Sequence, residues 1–192
     1  MRRVLSALFI IIGIGSVSAE SLLDTFEQSL AQMGQYSVKF TVTMDQYSSS
    51  GSYIVSGSDF YAAVDGVEYY VAGGVKHEVN SSTKEVTIDS AESLGSDIIS
   101  NPAKGFAALA RDFDATPTTV DGCKAVRLTP KQGGAESIVV VADSSGKLPQ
   151  RIVYYYDTAA MVVTLQQVSK YSDKLPAFDP SKYADFELVD MR

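Results

Sequence analysis

Apolar and polar residues change period along this chain, and the changes mark its elements. Over residues 21–34, Leu22, Leu23, Phe26, Leu30 and Met33 share one face at helical spacing. Ser21 suits an N-cap with Asp24 three residues on, and Gly34 suits a stop, so a helix is expected there. From residue 38 the period becomes two. Val38, Phe40, Val42 and Met44 alternate with Lys39, Thr41, Thr43 and Asp45, the pattern of a half-buried strand. Ser48-Ser49-Ser50-Gly51 reads as turn material, with a strand resuming over 52–56. Short strands are expected over 60–64, 67–72, 75–80 and 84–89. Asp65-Gly66, Gly73-Gly74 and Ser81-Ser82 separate them, and such dipeptides tolerate the backbone of tight hairpins.

The middle of the chain interrupts this meander. Residues 91–100 read as a short helix. Asn101-Pro102 is a helix-start signal, Asn as N-cap and Pro at the first position, with Phe106, Leu109 and Ala110 as the apolar side. Strands return over 125–129, 136–142, 151–156 and 160–171, and a last one near 186–189. The expected class is α+β: a long antiparallel sheet with a few helices covering one face. Ile138-Val139-Val140-Val141 and Met161-Val162-Val163 are apolar on both faces of their strands, which reads either as burial at the sheet centre or as the lining of an apolar cavity.

The start of the chain has its own pattern. Arg2 and Arg3 precede an apolar run from Val4 to Ile14, and Val17-Ser18-Ala19 fits a small-x-small cleavage site, so residues 1–19 are expected to be a secretory signal peptide. The run is shorter than the roughly 20 residues a spanning helix needs. The residue after the expected cut is Glu20 and not cysteine, so residues 20–192 are expected to form one exported, soluble domain without lipid at its new N-terminus. The formal charge is −7, and removal of the leader takes two more positive charges away. That balance argues against nucleic acid and against charge-driven binding to an anionic membrane. Cys123 is the one cysteine, so no internal disulfide framework exists; it reads as a small buried hydrophobe or as a reactive thiol.

Catalytic patterns are missing. His77 is the sole histidine and has no metal-ligand spacing around it. No G-x-S-x-G elbow and no complete phosphate loop occur; Ser144-Ser145-Gly146-Lys147 lacks the first glycine and reads as a hairpin turn. Tyr154-Tyr155-Tyr156 reads as a binding surface or as cross-strand packing. Neither enzyme chemistry nor a cofactor or metal is expected.

Several phrases in order along the chain resemble the LolA-like periplasmic carriers of outer-membrane lipoproteins. They are Tyr36-Ser37-Val38-Lys39-Phe40-Thr41, Gly51-Ser52-Tyr53-Ile54-Val55 and Gly74-Val75-Lys76-His77-Glu78-Val79-Asn80. Lys84-Glu85-Val86-Thr87-Ile88, Asn101-Pro102, Leu128-Thr129-Pro130-Lys131 and the ending from Phe178-Asp179-Pro180 to Val189-Asp190-Met191-Arg192 complete the set. The resemblance implies an unclosed antiparallel half-barrel with a helical lid. It implies a monomeric periplasmic chaperone that receives acylated lipoproteins from an inner-membrane ABC transporter and passes them to an outer-membrane acceptor. A lipid-binding or envelope-protein sensor on the same scaffold is the alternative. The implied cavity residues are Phe40, Val42, Tyr53, Val55, Phe60, Val86 and Ile88 on one half, and Val140, Tyr154, Val163 and Leu165 on the other. Ile98, Ile99, Phe106 and Leu109 would form the lid. The chain departs from the family at Gly57-Ser58, where an Arg-Pro pair with a lid-holding arginine is usual, at Gly73 in place of an aspartate, and in having no tryptophan.

Overall fold

In the computed structural model, which describes residues 19–95, 100–132 and 136–192, helix α1 (Ala19–Met33) ends at Gly34, whose backbone turns to φ +71°. A side chain there would meet the left-handed penalty that glycine escapes. The apolar stretch before residue 19 lies outside the described residues.

Strands β1 (Gln35–Met44) and β2 (Tyr47–Ser56) follow, and they correct one expectation. The run Ser48–Gly51 is strand and not turn: it pairs residue by residue with Thr43–Phe40, and the turn is Asp45-Gln46, with Asp45 at φ +53°. The small residues serve close packing instead. A Cβ on Gly51 would lie 2.6 Å from Phe40 Cζ and 2.8 Å from Val64 Cγ2, so its absence lets the Phe40 ring lie across β2. Ser49 is buried and donates its hydroxyl hydrogen bond to the Asp65 carboxylate.

The meander continues through β3 (Asp59–Val64), β4 (Val67–Ala72), β5 (Val75–Asn80) and β6 (Glu85–Ser90). Among the described residues, the helix expected over 91–100 is only a three-residue 3-10 turn, Ala91–Ser93. Helix α2 (Gly105–Asp112) starts later than Asn101-Pro102 suggested. The Asn101 carbonyl accepts from the Lys104 amide at 3.2 Å, which makes a turn ahead of the helix, and Lys104 takes the N-cap position. Phe106, Ala108 and Leu109 are its buried side; Ala110 is exposed, one step too far round the helix.

An unexpected strand, β7 (Phe113–Val120), follows α2 at once. Its threonines and Pro117 look like loop, but it is the sheet's terminal strand, where a proline costs no central ladder bond. Then come β8 (Cys123–Pro130), β9 (Ser137–Ala142), β10 (Pro149–Tyr155), β11 (Ala160–Lys170) and β12 (Glu187–Asp190).

All twelve strands form one sheet in the order β12-β6-β5-β4-β3-β2-β1-β11-β10-β9-β8-β7. β1 pairs antiparallel with β2 on one side and β11 on the other, and so joins two meanders. Only β12 pairs parallel, against β6. The ends of the order, β12 and β7, are not partners, so the curved sheet is an open half-barrel. Both helices pack on its concave face: Leu22, Leu23 and Phe26 of α1 and Phe106 and Leu109 of α2 join the main apolar core. Of the two strands that are apolar on both faces, β9 is buried on both, while in β11 Val163 is buried and Met161 and Val162 are half-buried. Ile138 and Val140 enter the main core, while Val139 and Val141 join Ala125 and Val153 in a second cluster on the convex side.

A third cluster fixes the C-terminal tail. Tyr70, Val79 and Val86 are covered by Phe178, Tyr183 and Phe186. Three tyrosine hydroxyls converge on Glu68: Tyr61 at 2.6 Å, Tyr183 at 2.9 Å and Tyr70 at 3.1 Å. Desolvation pushes the Glu68 carboxyl up, and the hydrogen bonds from Tyr61, Tyr183 and Tyr70 outweigh it, so its pKa lies below the ordinary 4.5. A lowered carboxyl stabilises the fold above its unfolded pKa and loses that effect as pH falls through the folded one. Glu68→Gln should therefore cost about 1–2 kcal/mol at pH 7. The wild-type advantage should shrink as pH falls below 4.5, as urea unfolding of both proteins at pH 7 and pH 3 will show. An equal gap at both pH values would mean that the charge on Glu68 is irrelevant to tail docking.

Candidate functional site

Strand alternation decides what faces the helices. β1 turns Val38, Phe40 and Val42 inward, β2 turns Tyr53 and Val55, and β3 turns Phe60 and Ala62, all in the main core. On the far side of β1, Val163 and Leu165 of β11 stand opposite Val42 and Phe40, and β10 and β9 continue the surface with Ile152, Tyr154, Ile138 and Val140. The residues Phe40, Val42, Tyr53, Val55, Phe60, Val140, Tyr154, Val163 and Leu165 thus lie together on the concave face.

Val86 and Ile88 do not. Val86 packs in the tail cluster on the convex side, and Ile88 shares its parity on β6, opposite His77. The reason is an inversion of the alternation. From β1 to β4 the concave positions are apolar apart from Ser49, which bonds to Asp65; on β5 and β6 they are Lys76, Glu78, Asn80, Glu85, Thr87 and Asp89. Apolar residues of those two strands point outward because the tail supplies a second covering layer there.

The helices do not fill the concavity. Between α2 and the sheet lies a cavity of about 620 Å³, within the range of small-molecule sites. Phe60, Ala62 and Tyr69 line it from the β3–β4 side, and Ile138, Tyr154 and Met161 from the β9–β11 side. Leu109 of α2, Leu94 and Phe113 close it above. Of the lid residues named from sequence, Phe106 and Leu109 are buried against the core; Ile98 and Ile99 lie outside the described residues. Phe40, Val42, Tyr53, Val55, Val140, Val163 and Leu165 are packed under the roof and are not cavity lining. Tyr69, Met161 and Phe113 were missed. Tyr69 shares parity with Val71, and Met161 with Val163, so the alternation itself could have found them.

The polar side chains at the cavity are few. Lys76 reaches in from β5, its Nζ 3.4 Å from Glu78 Oε2 and 3.8 Å from Asp89 Oδ2. Glu136, Ser137, Ser93 and Ser100 are further polar residues of the described lining. Burial pushes the Tyr36 phenol up to about 12 and that of Tyr53 higher still, so both hydroxyls stay neutral in the core. Candidate chemistry elsewhere is structural. The His77 ring stacks on Phe178 at 4.2 Å and 14°, on the convex face, and burial holds its pKa below the ordinary value. Cys123 is half-buried against the second cluster. Tyr154 is core and cavity lining; Tyr155 and Tyr156 border the same cavity but are exposed, Tyr155 beneath the Arg127 guanidinium at 5.8 Å. Among the described residues, no three His, Cys, Asp or Glu side chains are grouped to hold a metal, and no helix is long and apolar enough to cross a membrane.

No family model matches the chain, and no curated protein matches it in sequence. Solved structures do match. An uncharacterized conserved protein from Thermus thermophilus aligns over 90% of this chain and 98% of its own, at 10% identity and a TM-score of 0.57. LprF from Mycobacterium bovis aligns over 82% and 95%, at 16% identity and 0.48. The LolA superfamily protein NE2245 from Nitrosomonas europaea aligns over 88% and 98%, at 11% identity and 0.42. The Thermus thermophilus protein thus shares the fold described above, an open half-barrel with helices on the concave face.

Proposed function

We propose that this protein is a carrier that shields the acyl chains of lipoproteins. The apolar cavity of about 620 Å³ between sheet and roof is the observation that carries the reading, and the sequence resemblance supports it. Each exposed methylene costs about 0.8 kcal/mol in water, so one sixteen-carbon chain costs on the order of 12 kcal/mol. A lipid-anchored protein leaves a membrane at a useful rate only if another apolar surface takes its chains. The concave face supplies such a surface, and the protein acts by binding, without a chemical step. Its roof has to open for loading and release, so the docked state is only modestly favoured.

In this reading residues 1–19 are an export leader and residues 20–192 the working domain, free in the periplasm as a monomer. The cargo arrives from an inner-membrane ABC transporter and leaves to an outer-membrane acceptor. The test is native mass spectrometry of the exported protein purified without detergent. Acylated lipoprotein or its lipid should travel with it, and after delipidation the neutral probe N-phenyl-1-naphthylamine should enter the cavity. A protein that carries no acyl species and excludes the probe is not an acyl carrier.

A further inference from the structure

The cavity is not apolar throughout, and its polar end has a definite charge pattern. The concave face changes character between two neighbouring strands. Val71 on β4 belongs to the apolar core, and its partner across the ladder is Lys76 on β5. Tyr69 lines the cavity, and its partner is Glu78. Beyond them Asp89 of β6 pairs with Lys76, and the 3-10 turn places Ser93 beside it. A hydrocarbon chain alone would need no such wall. An amphiphile would, with its chain over β1–β4 and its head against β5–β6.

The wall also says what kind of head fits. Among the described lining residues Lys76 is the one basic side chain. Its contacts of 3.4 and 3.8 Å are longer than the 2.7–2.9 Å of a strong charge-assisted bond, so the ammonium keeps donor capacity for a ligand. It is only 13% exposed, and it is one of the residues that line the cavity. Glu78 and Asp89 flank it, and Glu136 lines the opposite side. The Ser93 hydroxyl and the Ser90 amide hold the Asp89 carboxyl below its ordinary range, so it is charged at neutral pH. One cation among three carboxylates leaves the polar end net negative. A head with its own negative charge meets repulsion there. A neutral head finds a donor in Lys76 and acceptors in Glu78 and Asp89.

We infer that Lys76, Glu78 and Asp89 form a head-group subsite selective for acyl chains joined through an ester or amide to a neutral hydrogen-bonding head, and against free fatty acids. The inference rests on the acyl-binding reading above. It adds that Lys76 donates to the linkage carbonyl, while the two carboxylates accept from hydroxyl or amide hydrogens of the head and repel a terminal carboxylate.

Displacement of N-phenyl-1-naphthylamine by two ligands with the same chain tests it. Monolauroylglycerol, a neutral ester, should displace the probe from the delipidated wild type at about one-tenth the concentration of laurate at pH 7.5. Lys76→Met should weaken the ester about tenfold relative to the probe, and an unchanged far-ultraviolet circular dichroism spectrum shows that the variant is folded. Glu78→Gln combined with Asp89→Asn should strengthen laurate at least tenfold. The subsite is overturned if laurate competes as well as the ester in the wild type, if Lys76→Met leaves the ester unaffected, or if Lys76→Met loses the probe as well. A wild type that excludes the probe would instead sink the acyl-binding reading on which the subsite depends.

Discussion

Leu109→Glu should abolish acyl-chain binding and lower the unfolding free energy by about 3 kcal/mol or more. Leu109 is 2% exposed, and it does two things at once. It joins the main core beside Phe106, and it forms part of the cavity roof. Among the described lining residues Lys76 is the one cation that could meet a carboxylate at that position, and it already faces Glu78 and Asp89. The new charge can either remain unpaired in the roof or reach water by lifting α2 from the sheet. Both outcomes remove the apolar surface a chain would lie against. The twelve-strand ladder does not depend on α2, so far-ultraviolet circular dichroism should keep its strand signal while probe binding falls at least about tenfold. Leu109→Met, which conserves volume, should cost less than about 1.5 kcal/mol and keep the ligand. Full probe binding by the glutamate variant would show that α2 is not the roof over the ligand.

Much of this architecture was legible in the residues, and the failures share a cause. Where a strand covers one layer, its alternation shows the inward face: Val38, Phe40 and Val42 could be read directly. On β5 and β6 the tail builds a second layer outside the sheet, so Val86 and Ile88 looked like cavity residues and are not. The covering residues Phe178, Tyr183 and Phe186 lie far along the chain, and local pattern carries no trace of such a contact. β7 was missed for a related reason. As the terminal strand it needs few apolar residues, so its threonines and Pro117 carry a loop-like composition. Ser48–Gly51 was misjudged because small residues mark both turns and close approach, and only the position of Phe40 across the ladder separates the two. Lys76 went unnoticed because its significance lies in its surroundings: it is a charge on the parity that the preceding strands keep apolar.

Phe26→Ala should have the largest effect on stability, about 3–5 kcal/mol, with a fall in melting temperature on the order of 10 °C. Phe26 is fully buried at the centre of α1. Its ring lies 5.8 Å from that of Phe106 at 56°, in a tilted contact between the two helices. The truncation therefore removes burial under α1 and also the ring that couples α1 to α2. Two consequences separate coupling from simple loss of packing. Amide exchange should accelerate in α2, residues 105–112, although the substitution is in α1. Dissociation of a bound acyl chain should also speed up, because the roof opens more often when one of its two helices no longer holds the other. Leu22→Ala, on the same helix and also buried, removes packing without that ring contact, and it should destabilise the protein while leaving α2 exchange closer to wild type. If the two variants accelerate α2 exchange equally, the helices respond only to global stability and the roof does not move as a unit. If Phe26→Ala acts on α2 alone in the way described, the ring pair sets how long the cavity stays closed over its cargo.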